Sequence, residues 1–395
     1  MKKIVLFVSL LVCGLAFTLS SCSDEKKDPD VNPADVDLTA KNASAWYNYM
    51  KNVVALLNED SEKLYTAWAV SYNATGKPYG ELFKKHDSAS GYTSVQSCAQ
   101  EVVEKCAEIA NEVGTAKIGD PYDKWVKGDQ NAALYAVESW YSWHSRDDYT
   151  NNIYSIQNAY FGSLDGTIAE HSFAKALEGK DIDVKVRAAI TAAAKAIQDI
   201  TQPFRNHIGS AESKSAMEAC ATLQALLSEV ETEDGEHISA DDVNLRDAVL
   251  NIDEAELQNI IDNYVDNVVV PTYKNLKEKN ELLLAAVNSL LNAPTNSAFK
   301  SACDAWLVAR EPWEKSEAFL FGPVDEFGLD PNMDSWPLDQ NAIMQIMNSQ
   351  SWNDLIWKEG DDDSKVESAQ NVRGFHTLEF LLFKDGQART VPAGN

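Results

Sequence analysis

The sequence predicts an all-α protein built as two helical-bundle domains of roughly four helices each. Three observations carry that prediction. Apolar residues recur at three- and four-residue steps over long windows that lack glycine and mostly lack proline. Strict apolar–polar alternation, the mark of a half-buried strand, is scarce. The chain has 395 residues, of which 45% are apolar, enough for two cores. The windows follow in order. Residues 43–72 ("ASAWYNYMKNVVALLNEDSEKLYTAWAVSY"), 92–113, 184–200 and 213–230 each keep one apolar face. Residues 257–291 keep it longer, with Pro271 as the expected kink or break, because proline lacks an N–H and crowds the preceding turn. Residues 297–319 carry the last long stripe before the apolar "GFHTLEFLLF" at 374–383. Long amphipathic helices on short connections are the pattern of bundles. The acidic run "ETEDGEHISADD" (231–242) marks the expected junction, giving a first bundle at 41–235, a linker at 236–255 and a second bundle at 256–395. Two stretches, 116–131 and 321–339, read as helix-poor, and long loops in a helical body are often functional.

The first 40 residues stand outside that body. Lys2-Lys3 followed by an apolar run reads as a signal peptide over 1–21. It ends in Leu19-Ser20-Ser21-Cys22, which resembles a bacterial lipobox and makes Cys22 the expected lipidation site. Residues 22–40 are charged, proline-bearing and poor in large apolar groups, so they read as a flexible tether. The expected location is the bacterial outer membrane, on the periplasmic face or the cell surface, with the lipid on Cys22 as the membrane contact. The formal charge of −27 argues against nucleic acid as a partner. Cys98 and Cys106 fall eight residues apart on one helix, about 12 Å, too far for a disulfide. They, Cys220 and Cys303 read as buried small hydrophobes.

Three constellations could carry chemistry. His376 and Glu379 lie three apart in an oily helix and so share a face. Burying them is costly without partners. They could form a hydrogen-bonded pair, the glutamate could be held by Arg373 or Arg310, or both could bind a metal, since imidazole plus carboxylate suits iron, zinc or manganese. The second is "VESWYSWHSRDDYTNN" (137–152), where Glu138, Ser142, Ser145, Tyr149 and Asn152 fall at helical steps beside Trp140, Tyr141 and Trp143. That stripe is either an exposed face or a pocket wall. His144-x-x-Asp147 on the same stretch is a weaker metal candidate. The third is 305–323, where Trp306, Arg310, Trp313 and Glu317 recur at steps of four, three and four. They fit a structural ion-pair network or a pair facing a substrate or metal. The sequence has no H-E-x-x-H, no E-x-x-H, no G-x-S-x-G elbow, no P-loop and no dinucleotide fingerprint.

Together these residues resemble the imelysin family. Gly374, His376 and Glu379 match its G-x-H-x-x-E signature. Ala305, Trp306, Ala309, Arg310, Trp313, Ser316, Glu317, Ala318, Phe319, Phe321, Gly322 and Pro323 match its tryptophan–arginine segment, and Trp336-Pro337 follows. Glu138, Ser139, Ser142, Ser145 and the "NAYFG" turn at 158–162 resemble the remaining part. The order of the two parts is reversed here, which a circular permutation would explain. The resemblance implies paired helical bundles with a site between them and an envelope protein associated with iron uptake and its partner proteins. Its expected ligand is iron, zinc or an iron-containing group such as haem. His376 and Glu379 are the expected metal ligands. Glu138, Ser142, Ser145, Arg310, Trp313, Glu317 and Gly374 are expected to line the site. A non-enzymatic binding role is the favoured expectation. The alternatives are an imelysin-type zinc metallopeptidase and a structural surface lipoprotein.

Overall fold

The helices start where the sequence supplies caps. Ser94 and Ser97 form a reciprocal capping box at the start of the helix Val95–Glu112. The side chains of Ser210, Asp253 and Thr295 accept backbone N–H groups at the starts of three more. The computed structural model describes residues 36–228, 230–231, 237–238 and 244–393. The signal segment, Cys22 and most of the tether lie outside the described residues, as does most of the acidic junction at 231–242. The helices that build the fold are α1 (Ala43–Ala69), α2 (Val95–Glu112), α3 (Ser145–Phe161), α4 (Asp181–Asp199), α5 (Ala211–Leu227), α6 (Glu254–Tyr264), α7 (Val270–Asn292), α8 (Asn296–Glu314), α9 (Leu329–Asp334) and α10 (Gly374–Leu382). Strand pairing among the described residues is limited to two-residue hairpins and an isolated bridge.

Helices α2, α3, α4 and α5 pack against one another as one bundle. Helices α1, α7, α8 and α10 form the other. α1 thus packs on α7 and α10 from the far end of the sequence, so the bundles interleave along the chain rather than following one another. Contacts of α3 with α8, and of α2 and α3 with the turn Glu317–Phe319, join the bundles. Asp37–Asn395 is one compact unit. Asp37 pairs with Lys384 and, at 3.5 Å, with Arg389, so residue 37 lies beside the C-terminal hairpin.

Two π-helical turns shape the bundles. Val265–Val269 links α6 to α7, and Pro271 sits at the start of α7. The wider turn absorbs the missing N–H and the ring's bulk, so the expected break becomes a continuous, locally widened helix. Val113–Lys117 extends α2 in the same way and leads into a helix at Gly119–Val126. The stretch 116–131 is therefore mainly helical, contrary to the sequence reading. The four cysteines at 98, 106, 220 and 303 are free and buried, as expected.

Candidate functional site

The site forms where α3, α8, α9 and α10 converge. Gly374 opens α10 at φ +87°, and a Cβ there would lie 2.4 Å from the carbonyl oxygen of Met333. Only glycine permits that approach. It brings Asp334, at the end of α9, to His376 on the first turn of α10. His376 is fully buried and both of its ring nitrogens face carboxylates. Nδ1 lies 3.2 Å from Glu379 Oε2, and Nε2 lies 3.2 Å from Asp334 Oδ1. Burial and the Arg310 cation oppose the imidazolium, but Asp334 and Glu379 outweigh them and raise His376 to about 9.

Glu379 is held from the other side by Ser142, whose backbone N–H and hydroxyl donate to Oε1 at 2.8 and 2.7 Å. Ser142, expected to line the site, donates to Glu379 directly. The sequence reading is wrong that Glu138, Ser142, Ser145, Tyr149 and Asn152 form one helical stripe. Residues 137–144 are a turn and α3 begins at Ser145. Ser139 and Trp143 take positive φ there, 50° and 62°, a costly conformation for side-chain-bearing residues that clusters at functional sites. The turn is held at both ends. Ser145 Oγ donates to the Glu138 carbonyl, and Gly386 of the C-terminal hairpin donates to the Tyr141 carbonyl at 2.8 Å. Ser145 therefore supports the turn rather than touching Glu379. His144 and Asp147 form a partly exposed pair at 3.4 Å.

Arg310 is the hub. It is fully buried on α8 and pairs with Asp334, with Glu314 at 2.5 Å and with Asp148 at 3.4 Å. Its Nη2 lies 3.3 Å from His376 Nε2. Trp313 donates its indole N–H to Asp334 Oδ2 at 2.7 Å, and Trp306 donates to the Phe375 carbonyl at 3.0 Å. Ser139 Oγ donates to Asp148 at 2.5 Å, and Asn152 Nδ2 to Glu314 Oε2 at 2.6 Å. Glu317 does not continue the α8 stripe as its spacing suggested. The helix ends at Glu314, and Glu317 lies on the following turn.

Glu314, Glu317 and Asp334 each offer an oxygen within 4.8 Å of the others, close enough to share one cation. Glu317 is 7% exposed, yet among the described residues its carboxylate makes no hydrogen bond and no ion pair. Burial pushes Glu317 well above the usual carboxylate range and Glu314 up to about 8, although Arg310 opposes the latter. Asp330, one turn before Asp334, is pushed up to about 7 by burial and by Asp334. Asp334 goes the other way, since Arg310 and His376 outweigh its burial and hold it well below the usual range. Lys117, at the end of the α2 π-turn, reaches Glu138 at 3.0 Å and Glu112 at 3.5 Å.

A cation fits the Glu314–Glu317–Asp334 cluster, where the Glu317 carboxylate has no protein partner among the described residues. A three-ligand zinc centre on His376 and Glu379 fits less well. Their facing atoms are bonded to each other, the far nitrogen meets Asp334 and Arg310, and no further ligand stands on the Glu379 side among the described residues. Neither nitrogen is free to serve as a haem axial ligand.

The family model for imelysin matches residues 24–230 and 269–395. The chain belongs to the imelysin family. It is similar to an imelysin peptidase from Bacteroides ovatus of known crystal structure. The two are 60% identical, with a TM-score of 0.85 over 91% of this chain and all of that one. A 124-residue stretch is 36% identical to the iron-regulated protein A of Synechococcus elongatus. That match spans about a third, 31%, of the length of the curated relative and 31% of this chain.

Sequence reasoning missed Glu314, Asp334, Asp148 and Lys117. Glu314 had a visible signal, four residues after Arg310 on the same helix. Asp334 and Lys117 fall in the two stretches singled out as helix-poor.

Proposed function

We propose that this protein binds a hard multivalent cation, iron foremost, between its two bundles, and serves iron handling at the bacterial envelope as a lipoprotein anchored through Cys22. The observation that carries the binding reading is the largely buried Glu317, whose carboxylate has no protein partner among the described residues and lies beside Glu314 and Asp334. Burial holds Glu317 and Glu314 toward their protonated forms, and a metal ion that takes the protons' place offsets that burial cost. Carboxylate oxygens suit hard cations such as iron and manganese better than soft ones. His376 and Glu379 position Asp334 from behind and fix its orientation, as outer partners do for ligands. The name of the iron-regulated relative from Synechococcus elongatus supports the link to iron.

The zinc-peptidase reading draws on the name of the Bacteroides ovatus relative. It would need His376 to give up one of its two carboxylate partners to become a ligand. Isothermal titration with Fe(II) under anaerobic conditions, and with Zn(II) and Mn(II), tests the proposal. One equivalent should bind, and Glu314→Gln/Glu317→Gln should weaken it by more than about 100-fold, beyond the 10–100-fold typical of outer partners. Absence of binding by the unaltered protein would overturn the reading. Zn(II) binding accompanied by peptide cleavage, lost in Glu379→Gln, would favour the peptidase instead.

A further inference from the structure

His144 has no part in the site described so far, yet the chain fixes its place firmly. It ends the turn 137–144, where Ser139 and Trp143 take positive φ, and its backbone N–H donates to the Ser139 carbonyl at 3.0 Å. Gly386 of the C-terminal hairpin packs on the Trp143 ring so closely that a Cβ there would lie 2.5 Å from it. Helix α3 starts at the next residue, and its first turn sets Asp147 and Asp148 three and four residues on, on the same face as His144.

The two ring nitrogens of His144 meet different carboxylates. Nδ1 lies 3.4 Å from Asp147 Oδ2, and Nε2 lies 3.8 Å from Asp148 Oδ1. Asp148 is fully buried. Ser139 and Arg310 both donate to its other oxygen, Oδ2, at 2.5 and 3.4 Å. Oδ1 has no hydrogen-bond partner among the described residues. A buried acceptor left open is costly, and this one faces a nitrogen that stands beyond hydrogen-bond reach. The gap suits an ion. A zinc-type ion lies about 2.0–2.2 Å from an imidazole nitrogen or a carboxylate oxygen, which sets two ligand atoms about 3.3–3.6 Å apart around a tetrahedron. The observed 3.8 Å closes to that range with a shift of a few tenths of an ångström.

We propose that His144 Nε2 and Asp148 Oδ1 hold a divalent ion of the zinc or copper type, with Asp147 as the outer carboxylate on Nδ1 and water in the remaining positions. A metal-binding histidine ordinarily has its second nitrogen held by a carboxylate, carbonyl or water, and Asp147 stands in that place. Solvent reaches the site, since the His144 side chain is 23% exposed and that of Asp147 is 44% exposed. A nitrogen–oxygen pair suits borderline ions, whereas the all-oxygen Glu314–Glu317–Asp334 cluster suits hard ones. The two sites therefore take different metals, and this one does not depend on the cation-binding reading above. With two protein ligands it is an exchangeable site, suited to capture from solvent rather than to permanent retention.

Co(II), which absorbs strongly in the visible when four-coordinate, is the probe. It is titrated into the unaltered protein, His144→Gln, Asp147→Asn and Glu314→Gln/Glu317→Gln. One equivalent should give the four-coordinate spectrum. His144→Gln should abolish it, Asp147→Asn should weaken binding about 10- to 100-fold, and the double variant should leave it unchanged. In parallel, histidine labelling of the unaltered protein by diethyl pyrocarbonate, read by peptide mass spectrometry, should slow several-fold at His144 when Zn(II) is added. A spectrum that survives His144→Gln, or that the double variant abolishes, overturns the proposal. So does absence of Co(II) binding, which would leave His144 as an ion-pair partner of the two aspartates. If His144→Gln does not fold, the labelling decides, and equal labelling with and without Zn(II) overturns the site.

Discussion

The two sides of the interbundle site use the same residue types and reach opposite electrostatic states. On the His376 side each charge is matched. Glu379 accepts from the Ser142 N–H and hydroxyl and faces His376 Nδ1, while His376 Nε2 faces Asp334. On the Lys117 side carboxylates outnumber their partners, and Glu317 has none among the described residues. A matched buried network rigidifies what it touches. A mismatched one holds carboxyl groups toward their protonated forms, from which a cation can displace the protons. The G-x-H-x-x-E motif, on this view, is scaffolding for the ligand-binding carboxylates across from it.

The sharpest way to break this contrast is at the residue both sides share. Arg310→Met leaves Asp148, Glu314 and Asp334 around an empty centre, and stability to urea should fall by about 3–5 kcal/mol. A loss below about 1 kcal/mol would mean that Arg310 does not hold the site together. Next come the two glutamates, compared in the same unfolding assay without added cation. Glu379→Gln disturbs a satisfied acceptor and should cost about 1–3 kcal/mol. Glu317→Gln replaces a carboxyl group that has no protein partner and should leave stability unchanged or raised. Equal losses would erase the distinction between the sides.

A smaller effect concerns pH. Glu314, raised to about 8, and Asp330, raised to about 7, hold protons more tightly folded than unfolded. Their stabilisation is complete below about 4 and is lost as pH rises through 7 to 8. His376, raised to about 9, adds stability that is complete below about 6.5 and lost by pH 9. The contributions share one sign, so the Tm of the cation-free protein should fall between pH 5 and 9. Asp334, held low, acts oppositely, but only in stronger acid than this window. Saturating Mn(II) should flatten the slope, and a Tm that rises with pH would contradict the charge surplus. The smallest effect belongs to Ser142→Ala, about 1 kcal/mol, because the backbone N–H still serves Glu379.

The helices were legible because their apolar spacing is local information. α1, α2, α4 and α5 fall within a few residues of their sequence windows. The pairing of His376 with Glu379 was legible for the same reason, whereas Ser142 entered only as a site-lining residue through family resemblance. What the spacing could not show was where helical periodicity stops. It ran the Glu138 stripe through a turn held by Ser139 and Trp143 at positive φ, and it carried Glu317 past the end of α8. Lys117 and Asp334 were hidden because tertiary folding brings them in. A π-turn aims one, and the close approach at Gly374 brings in the other.

The central claim is that the carboxylates, not the His376–Glu379 pair, hold the cation. Anomalous diffraction at the iron or manganese edge from crystals grown with that cation measures it directly. The expected result is one peak within bonding distance of Glu314, Glu317 and Asp334, with the Glu379–His376 contact intact. A peak lying between His376 Nδ1 and Glu379, with the three carboxylates unengaged, would contradict it.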